Sequence, residues 1–250
     1  MRYHMVRIRT GTVHEMGERD SQQDAWGIAG GAEPGEELFA AVADGMGGLV
    51  DSGQVSREIL SAMLEAYNSE EDVPPDRKLK QLLMKANERV GRLLANSGRR
   101  SGSTLAACVI RAGNLFWLTV GDSRIYLERG GGLILLNQDH DFGQDLDLLA
   151  MQGELSLEEA ETDPRREGLT SYIGSGFPRK VSCNGEPVML HRGDKVLIVS
   201  DGVYRALTQE EFVGCLRGSA ERAAARLRKR IHKKALKGQD NYTAVILEIK

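Results

Sequence analysis

Short apolar runs of four to eight residues, separated by Gly, Asp and Asn, recur along most of the chain: Met5 to Ile8, Leu38 to Ala43, Leu105 to Ile110, Leu115 to Val120, Leu133 to Leu136, Val196 to Val199 and Ala244 to Ile249. Runs of this length between turn formers predict β-strands, several of them buried on both faces. Two helical patterns interrupt them. Val55, Ile59, Met63 and Tyr67 repeat every fourth residue after Ser52, a candidate cap, and Leu79, Leu82, Leu83, Ala86, Val90, Leu93 and Leu94 share one face of a second helix. Between them Glu70-Glu71-Asp72-Val73-Pro74-Pro75 reads as a turn, because the prolines cannot continue the first helix. A third pattern, Leu227 and Ile231 with flanking alanines, precedes the last strand. Strands, then a helix pair, then more strands and a late helix do not alternate as parallel β-α-β units do. The order favours an α+β fold with a mostly antiparallel sheet core flanked by helices.

No stretch reads as an interdomain linker, so residues 1–250 are expected to form a single domain. The polar segment 139–168 carries glycine and proline breakers and helical fragments at Leu146 to Met151 and Leu157 to Glu161. It reads either as a flap over a site or as a surface excursion. Bulk charge narrows the function: 33 basic against 36 acidic side chains, a net of -3, argue against a polycationic binder of nucleic acid or membrane surface. No run approaches the roughly 20 apolar residues of a membrane helix, and the first residues lack a secretory apolar segment, so a cytoplasmic location is expected. Cys108, Cys183 and Cys215 are odd in number and widely spaced, which suggests small buried hydrophobes rather than a disulfide framework or a zinc site.

The chemistry lies in aspartates stationed at the ends of apolar runs. Asp44-Gly45 follows Phe39 to Ala43, Asp201-Gly202 follows Val196 to Ser200, Asp240-Asn241 precedes the last run, and Asp24 precedes Ala25 to Ile28. Any one Asp-Gly is equally a turn signal. Four together are harder to read as turns, since turns need no negative charge. Carboxylates that converge in a partly buried site raise one another's pKa values and call for cations. A donor set of oxygens, with no nearby His or Cys cluster, points to Mg²⁺ or Mn²⁺ rather than zinc or copper. Glycine at position 45 would let its carbonyl approach such an ion.

Seven blocks carry a family resemblance: Arg19-Asp20-Ser21-Gln22-Gln23-Asp24, Val42-Ala43-Asp44-Gly45-Met46-Gly47-Gly48, Ser101-Gly102-Ser103-Thr104, Gly121-Asp122-Ser123-Arg124-Ile125-Tyr126, Leu169-Thr170-Ser171-Tyr172-Ile173-Gly174, Ser200-Asp201-Gly202 and Asp240-Asn241-Tyr242-Thr243. In order, over roughly residues 10 to 249, they resemble the signature blocks of the protein phosphatase 2C family, the metal-dependent PPM phosphatases. The resemblance implies a four-layer α-β-β-α sandwich of two antiparallel sheets flanked by helix pairs. It also implies protein serine/threonine phosphatase activity, by attack of a water held between two Mn²⁺ or Mg²⁺ ions. By position, Asp44 would bridge the two metals, Gly45 would add its carbonyl, and Asp24, Asp201 and Asp240 would complete the ligand shell. Asp122, with Asp201, matches the holders of a third, weaker ion in bacterial members. Arg19 matches the phosphate-binding arginine, and 139–168 the bacterial flap.

Two departures stand out. Animal members carry histidine where this chain has Met46, whose thioether cannot donate a proton. That marks a bacterial-type enzyme and leaves a metal-bound water, or His140 at the flap base, as the acid for the leaving group. Gln22-Gln23 replaces the usual Asn followed by Gln or Glu, which touches contacts behind the ligands only. The implied partners are phosphorylated proteins made by a serine/threonine kinase, acted on by a monomer with no nucleic acid or membrane involved. Rival readings are a pseudophosphatase that binds phosphoproteins on the same fold, and a two-metal hydrolase of another phosphate ester. Between Arg217 and Lys237 nine basic residues face Glu221 alone, leaving this stretch about +8 and the remainder about -11. A solvated helix face accounts for it; a docking face for acidic or phosphorylated partners is the alternative.

Overall fold

Alternate residues of the central strands enter different cores, which is why those strands read as unbroken apolar runs. Along Leu38–Asp44, Leu38, Ala40 and Val42 point to one core and Phe39, Ala41 and Ala43 to another. Along Tyr242–Ile249, Val245, Leu247 and Ile249 share the first of these cores while Ala244 and Ile246 serve a third. A period of two with both faces buried makes each strand a wall between two layers.

The computed structural model describes residues 6–31, 33–46, 52–69, 73–97, 101–174 and 176–250. The elements run β1 (Ile8–Glu15), β2 (Asp24–Gly30), β3 (Leu38–Asp44), α1 (Ser52–Ser69), α2 (Pro75–Ser97), β4 (Leu105–Arg111), β5 (Asn114–Val120), β6 (Arg124–Arg129) and β7 (Gly132–Leu135). They continue with α3 (Phe142–Met151), α4 (Leu157–Thr162), β8 (Ser182–Cys183), β9 (Val188–Met189), β10 (Lys195–Val199), α5 (Asp201–Tyr204), α6 (Gln209–Cys215), α7 (Ala220–Lys234) and β11 (Tyr242–Ile249). Among the described residues one sheet has the order β1-β11-β10-β6-β7 and the other β2-β3-β4-β5-β8, with β9 also on β5, and the strand pairs are antiparallel. The α1–α2 pair covers one sheet, α6 and α7 cover the other, and a third apolar layer lies between the sheets. This is the expected four-layer α-β-β-α arrangement.

Several boundaries differ from the sequence reading. The first strand starts at Ile8 and runs to Glu15 rather than spanning Met5 to Ile8, of which Met5 lies outside the described residues, as do Gly47, Gly48 and the Glu70-Glu71-Asp72 turn. Its pattern is hidden because Val13 alone supplies a fully buried apolar side chain and Gly11 is held against α7, where a Cβ would stand 2.2 Å from the Ala220 carbonyl oxygen. Ser52 is the first helical residue, not a cap, and Pro75 opens α2, a position where its missing N–H costs nothing. β6, β8, β9, α5 and α6 are not among the expected elements, and β2 extends the short run Ala25 to Ile28 at both ends. Of the cysteines, Cys108 and Cys215 are buried as expected, but Cys183 is exposed on the short edge strand β8. Among the described residues no helix is long and apolar enough to cross a membrane.

Segment 139–168 folds as two capped helices rather than a bare loop. Asp141 caps α3 and a Ser156–Glu159 capping box opens α4. Its end folds back on its start: the Phe142 and Gly143 amides donate to the Gly168 and Arg166 carbonyls, and Arg166 makes a fork to Asp147. The basic stretch forms α7, with Leu227 and Ile231 inward as expected. Part of its charge is spent at home, on the pairs Arg228–Glu15, Arg230–Glu211 and Lys234–Glu211.

Candidate metal centre

Strand register brings the aspartates together. In the β2–β3 ladder Asp24 stands directly opposite Asp44, one opening its strand and the other closing its own. β11 lies between β1 and β10, so Asp201 at the end of β10 and Asp240 ahead of β11 emerge at the same end. Asp122 is delivered by the β5–β6 turn. Gly121 there has φ +93°, and a Cβ would sit 2.7 Å from Thr104 Cγ2, so only glycine makes this turn without strain. Asn241 fastens the loop that carries Arg19: its Oδ1 accepts from the Gln23 amide at 2.7 Å, and its Nδ2 donates to the Met16 and Ser21 carbonyls. Thr104 fixes Asp44, accepting from its amide through Oγ1 and donating its own amide to the Asp44 carbonyl.

The result is a cleft of about 480 Å³ lined by Arg19, Asp44, Gly45, Asp122, Asp201 and Asp240, with Met46 and Thr104 beside them. Asp24 lies behind it, 2% exposed. Its Oδ2 accepts from Ser200 Oγ at 2.8 Å and Thr243 Oγ1 at 2.7 Å, while its Oδ1 has no partner. Burial and, secondarily, the Asp201 charge push its pKa up to about 6, against the two hydroxyl bonds. Asp44 is raised well above the usual carboxylate range by burial and then by Asp24, Asp201, Asp122 and Asp240 in turn. Asp122 is pushed up to about 7 by burial and by Asp201 and Asp139, with Arg205 opposing. Burial also raises Asp201, whose Oδ1 is a second buried oxygen without a partner. Asp240 is paired at 2.7 Å with Arg19, whose side chain is half exposed at the rim.

These residues fit divalent cations. Five carboxylates meet in one place, burial and mutual repulsion raise Asp24, Asp44, Asp122 and Asp201, and two of their buried oxygens lack a hydrogen-bond donor; positive charge in the cleft would resolve all three conditions. Oxygen donors alone suit Mg²⁺ or Mn²⁺. Among the described residues no group of three or more His, Cys, Asp or Glu side chains is already arranged to hold a metal ion, so binding would need these carboxylates to adjust. The glycine at 45 has a packing reason besides the one anticipated: a Cβ would stand 2.6 Å from the Ser52 carbonyl oxygen and 2.7 Å from that of Gln23.

One candidate is lost. His140 is buried, its Nδ1 accepts from the Gly121 amide at 3.2 Å and its Nε2 pairs with Ser182 Oγ at 2.8 Å, so it braces the flap base and the Asp122 turn instead of facing the cleft. Gln22 Oε1 accepts from the Asp24 amide, which is what the altered block does here. Sequence reasoning missed Arg205 and Glu167, both in the cleft wall; the signal for Arg205 was its place four residues after Asp201. Of the basic stretch, Lys237 reaches the cleft lining.

Aspartates gathered at one end of a double antiparallel sandwich form a candidate divalent-cation centre. The family Protein phosphatase 2C matches residues 10–239. The chain is 28% identical over 223 residues to the serine/threonine phosphatase stp of Listeria innocua, with 85% of each chain covered. It superposes on the PPM Ser-Thr phosphatase MsPP from Mycobacterium smegmatis with a TM-score of 0.77 at 27% identity, covering 96% of this chain and 97% of that one. It shares its fold with the catalytic domain of serine threonine protein phosphatase PstP in complex with two manganese ions, at TM-score 0.76 and 23% identity over 98% and 99% of the chains. The chain belongs to the protein phosphatase 2C family. That makes it a protein phosphatase of a metal-dependent family, with phosphoproteins as substrates, as the motif blocks imply.

Proposed function

We propose that this chain is a serine/threonine phosphatase in which Asp24, Asp44, Gly45, Asp201 and Asp240 hold two Mn²⁺ or Mg²⁺ ions. The gathering of five carboxylates in one cleft, with Asp24, Asp44, Asp122 and Asp201 all raised, carries the reading. The two manganese ions of PstP support the count of two. Asp122 and Asp201 are the pair available to a third, weaker ion. Bound divalent ions would supply a water acidic enough to attack phosphorus near neutral pH and would neutralise the phosphoryl oxygens.

The remaining work falls to the chain's own side chains. Arg19 offers a planar fork of donors at the rim and would trade its contact with Asp240 for the phosphoryl oxygens as charge shifts during in-line displacement. Asp44 and Asp24 would stay ionised beside bound cations and so hold them in the cleft where phosphate would meet them. With Met46 unable to donate and His140 engaged, the serine or threonine alkoxide takes its proton from solvent in the cleft. Residues 1–250 act as one catalytic domain with 139–168 as the flap, in a cytoplasmic monomer that opposes a serine/threonine kinase.

Phosphate release from p-nitrophenyl phosphate and from a phosphothreonine peptide tests this, with Mn²⁺ or with chelator. Turnover should require the cation and fall about 100-fold or more in Asp44→Ala or Asp240→Ala, with a phosphodiester resisting. Peptide turnover that survives chelation would overturn it.

A further inference from the structure

Arg205 touches three carboxylates from three separate segments. Its Nε lies 3.2 Å from Asp201 Oδ2, its Nη1 3.2 Å from Glu167 Oε2 in the last residues of the flap, and its Nη2 3.7 Å from Asp122 Oδ2 on the β5–β6 turn. Among the described residues it is the one basic side chain paired with Asp122 or Asp201. The preceding residue helps to seat it: Tyr204 lies under the Arg124 guanidinium, 3.7 Å from the ring centroid, and its hydroxyl donates to the Asp122 carbonyl at 3.2 Å.

We propose that Arg205 is a positioning residue, a resident cation that latches the flap to the cleft through Glu167 and holds a third divalent ion away from Asp122 and Asp201. The inference rests on the metal reading above. An ion ligated by both carboxylates needs their oxygens within about 2.0–2.6 Å. A guanidinium already within contact of the same oxygens would repel it, and unit charges at such range near a protein surface interact strongly enough to shift affinity by more than a decade. The Glu167 contact is weaker, since that side chain is 80% exposed, and an exposed pair of this kind holds a segment down by roughly a factor of two to five.

Manganese titration calorimetry and hydrogen exchange of residues 157–168, on the full chain, test both halves. Arg205→Ala should bind its weakest Mn²⁺ equivalent at least tenfold more tightly than wild type, and its flap amides should exchange about two- to fivefold faster. Arg205→Lys, which keeps the charge but not the fork, should leave the weak equivalent unchanged. Glu167→Gln should speed flap exchange while leaving the ion count alone; because that side chain is exposed, this variant reports even if Arg205→Ala fails to fold. Unchanged weak-site affinity in Arg205→Ala, or unchanged flap exchange in Glu167→Gln, overturns the latch while leaving the phosphatase intact. Wild-type protein that takes up no manganese and turns over no phosphopeptide would instead sink the metal reading beneath it.

Discussion

Replacing Asp24 by Asn removes a charge that the ion-free fold holds at a loss. Asp24 is buried beneath the cleft with one oxygen unpartnered, and its pKa rises from 3.8 to about 6. Two pH units correspond to about 3 kcal/mol. Below about pH 4 the group is protonated in folded and unfolded chains and costs nothing. Between 3.8 and about 6 the unfolded chain gives up its proton while the folded one keeps it, so stability falls as pH rises; above that the penalty is constant. Asparagine keeps an oxygen to accept from Ser200 and Thr243 and turns an NH₂ toward Asp44 where the bare oxygen was. In chelator at pH 7.5, Asp24→Asn should therefore be more stable than wild type by up to about 3 kcal/mol, and the gap should close as pH falls toward 4. Taking the difference between the two proteins cancels the other titrations. Mn²⁺ at about 1,000 times its Kd should reverse the order, since it adds about 4.1 kcal/mol to a chain that binds it. Urea unfolding at pH 4.5, 6 and 7.5, with and without Mn²⁺, reads this directly. A variant less stable than wild type at pH 7.5 in chelator, or a gap independent of pH, would refute the account of the site as stored repulsion.

Arg19→Ala should lower kcat/KM for a phosphothreonine peptide by about 100-fold while Mn²⁺ affinity at the core sites holds, measured by steady-state kinetics beside calorimetry. Asn241→Ala strands the Gln23 amide and the Met16 and Ser21 carbonyls, and urea unfolding should show a loss of about 2–4 kcal/mol. Gly121→Ala forces φ +93° on an alanine whose Cβ meets Thr104; it should cost about 1–3 kcal/mol and weaken Asp122-dependent ion binding in the same titration.

What could be read beforehand was local. Asp44 and Asp201 each end a buried strand, and a strand buried on both faces announces itself as an unbroken apolar run with a polar stop. Asp24 and Asp240 sit at the mirror position, just before their runs. Their meeting was not legible, because it depends on a register that sets Asp24 against Asp44 and on β11 sliding between β1 and β10 from the far end of the chain. Asp122 follows the run Leu115 to Val120 after Gly121, much as Asp201 follows Val199 after Ser200, yet only the resemblance pointed to it. β1 escaped because a strand pressed on a helix through Gly11 has no side chain there to betray it. Arg205 escaped because α5 is one turn long, too short for any periodicity to mark.

The chain's own positive charges explain where ions would sit. Arg19 meets Asp240 at one rim and Arg205 meets Asp122 and Asp201 at the other, each within salt-bridge distance. Neither pairs with Asp24 or Asp44, and those two face each other across the ladder with burial as the largest cause of their raised pKa values. Compensation is thus supplied at the edges and withheld at the centre. A fully self-neutralised cluster would have no affinity for cations, and an uncompensated one would strain the fold throughout. Two arginines placed at the margins leave Asp24 and Asp44 without a cation partner and only partly offset the burial that raises Asp122 and Asp201, so divalent ions entering the cleft would relieve repulsion across all four, and the rim cations would be placed to meet phosphate on one side and the flap on the other.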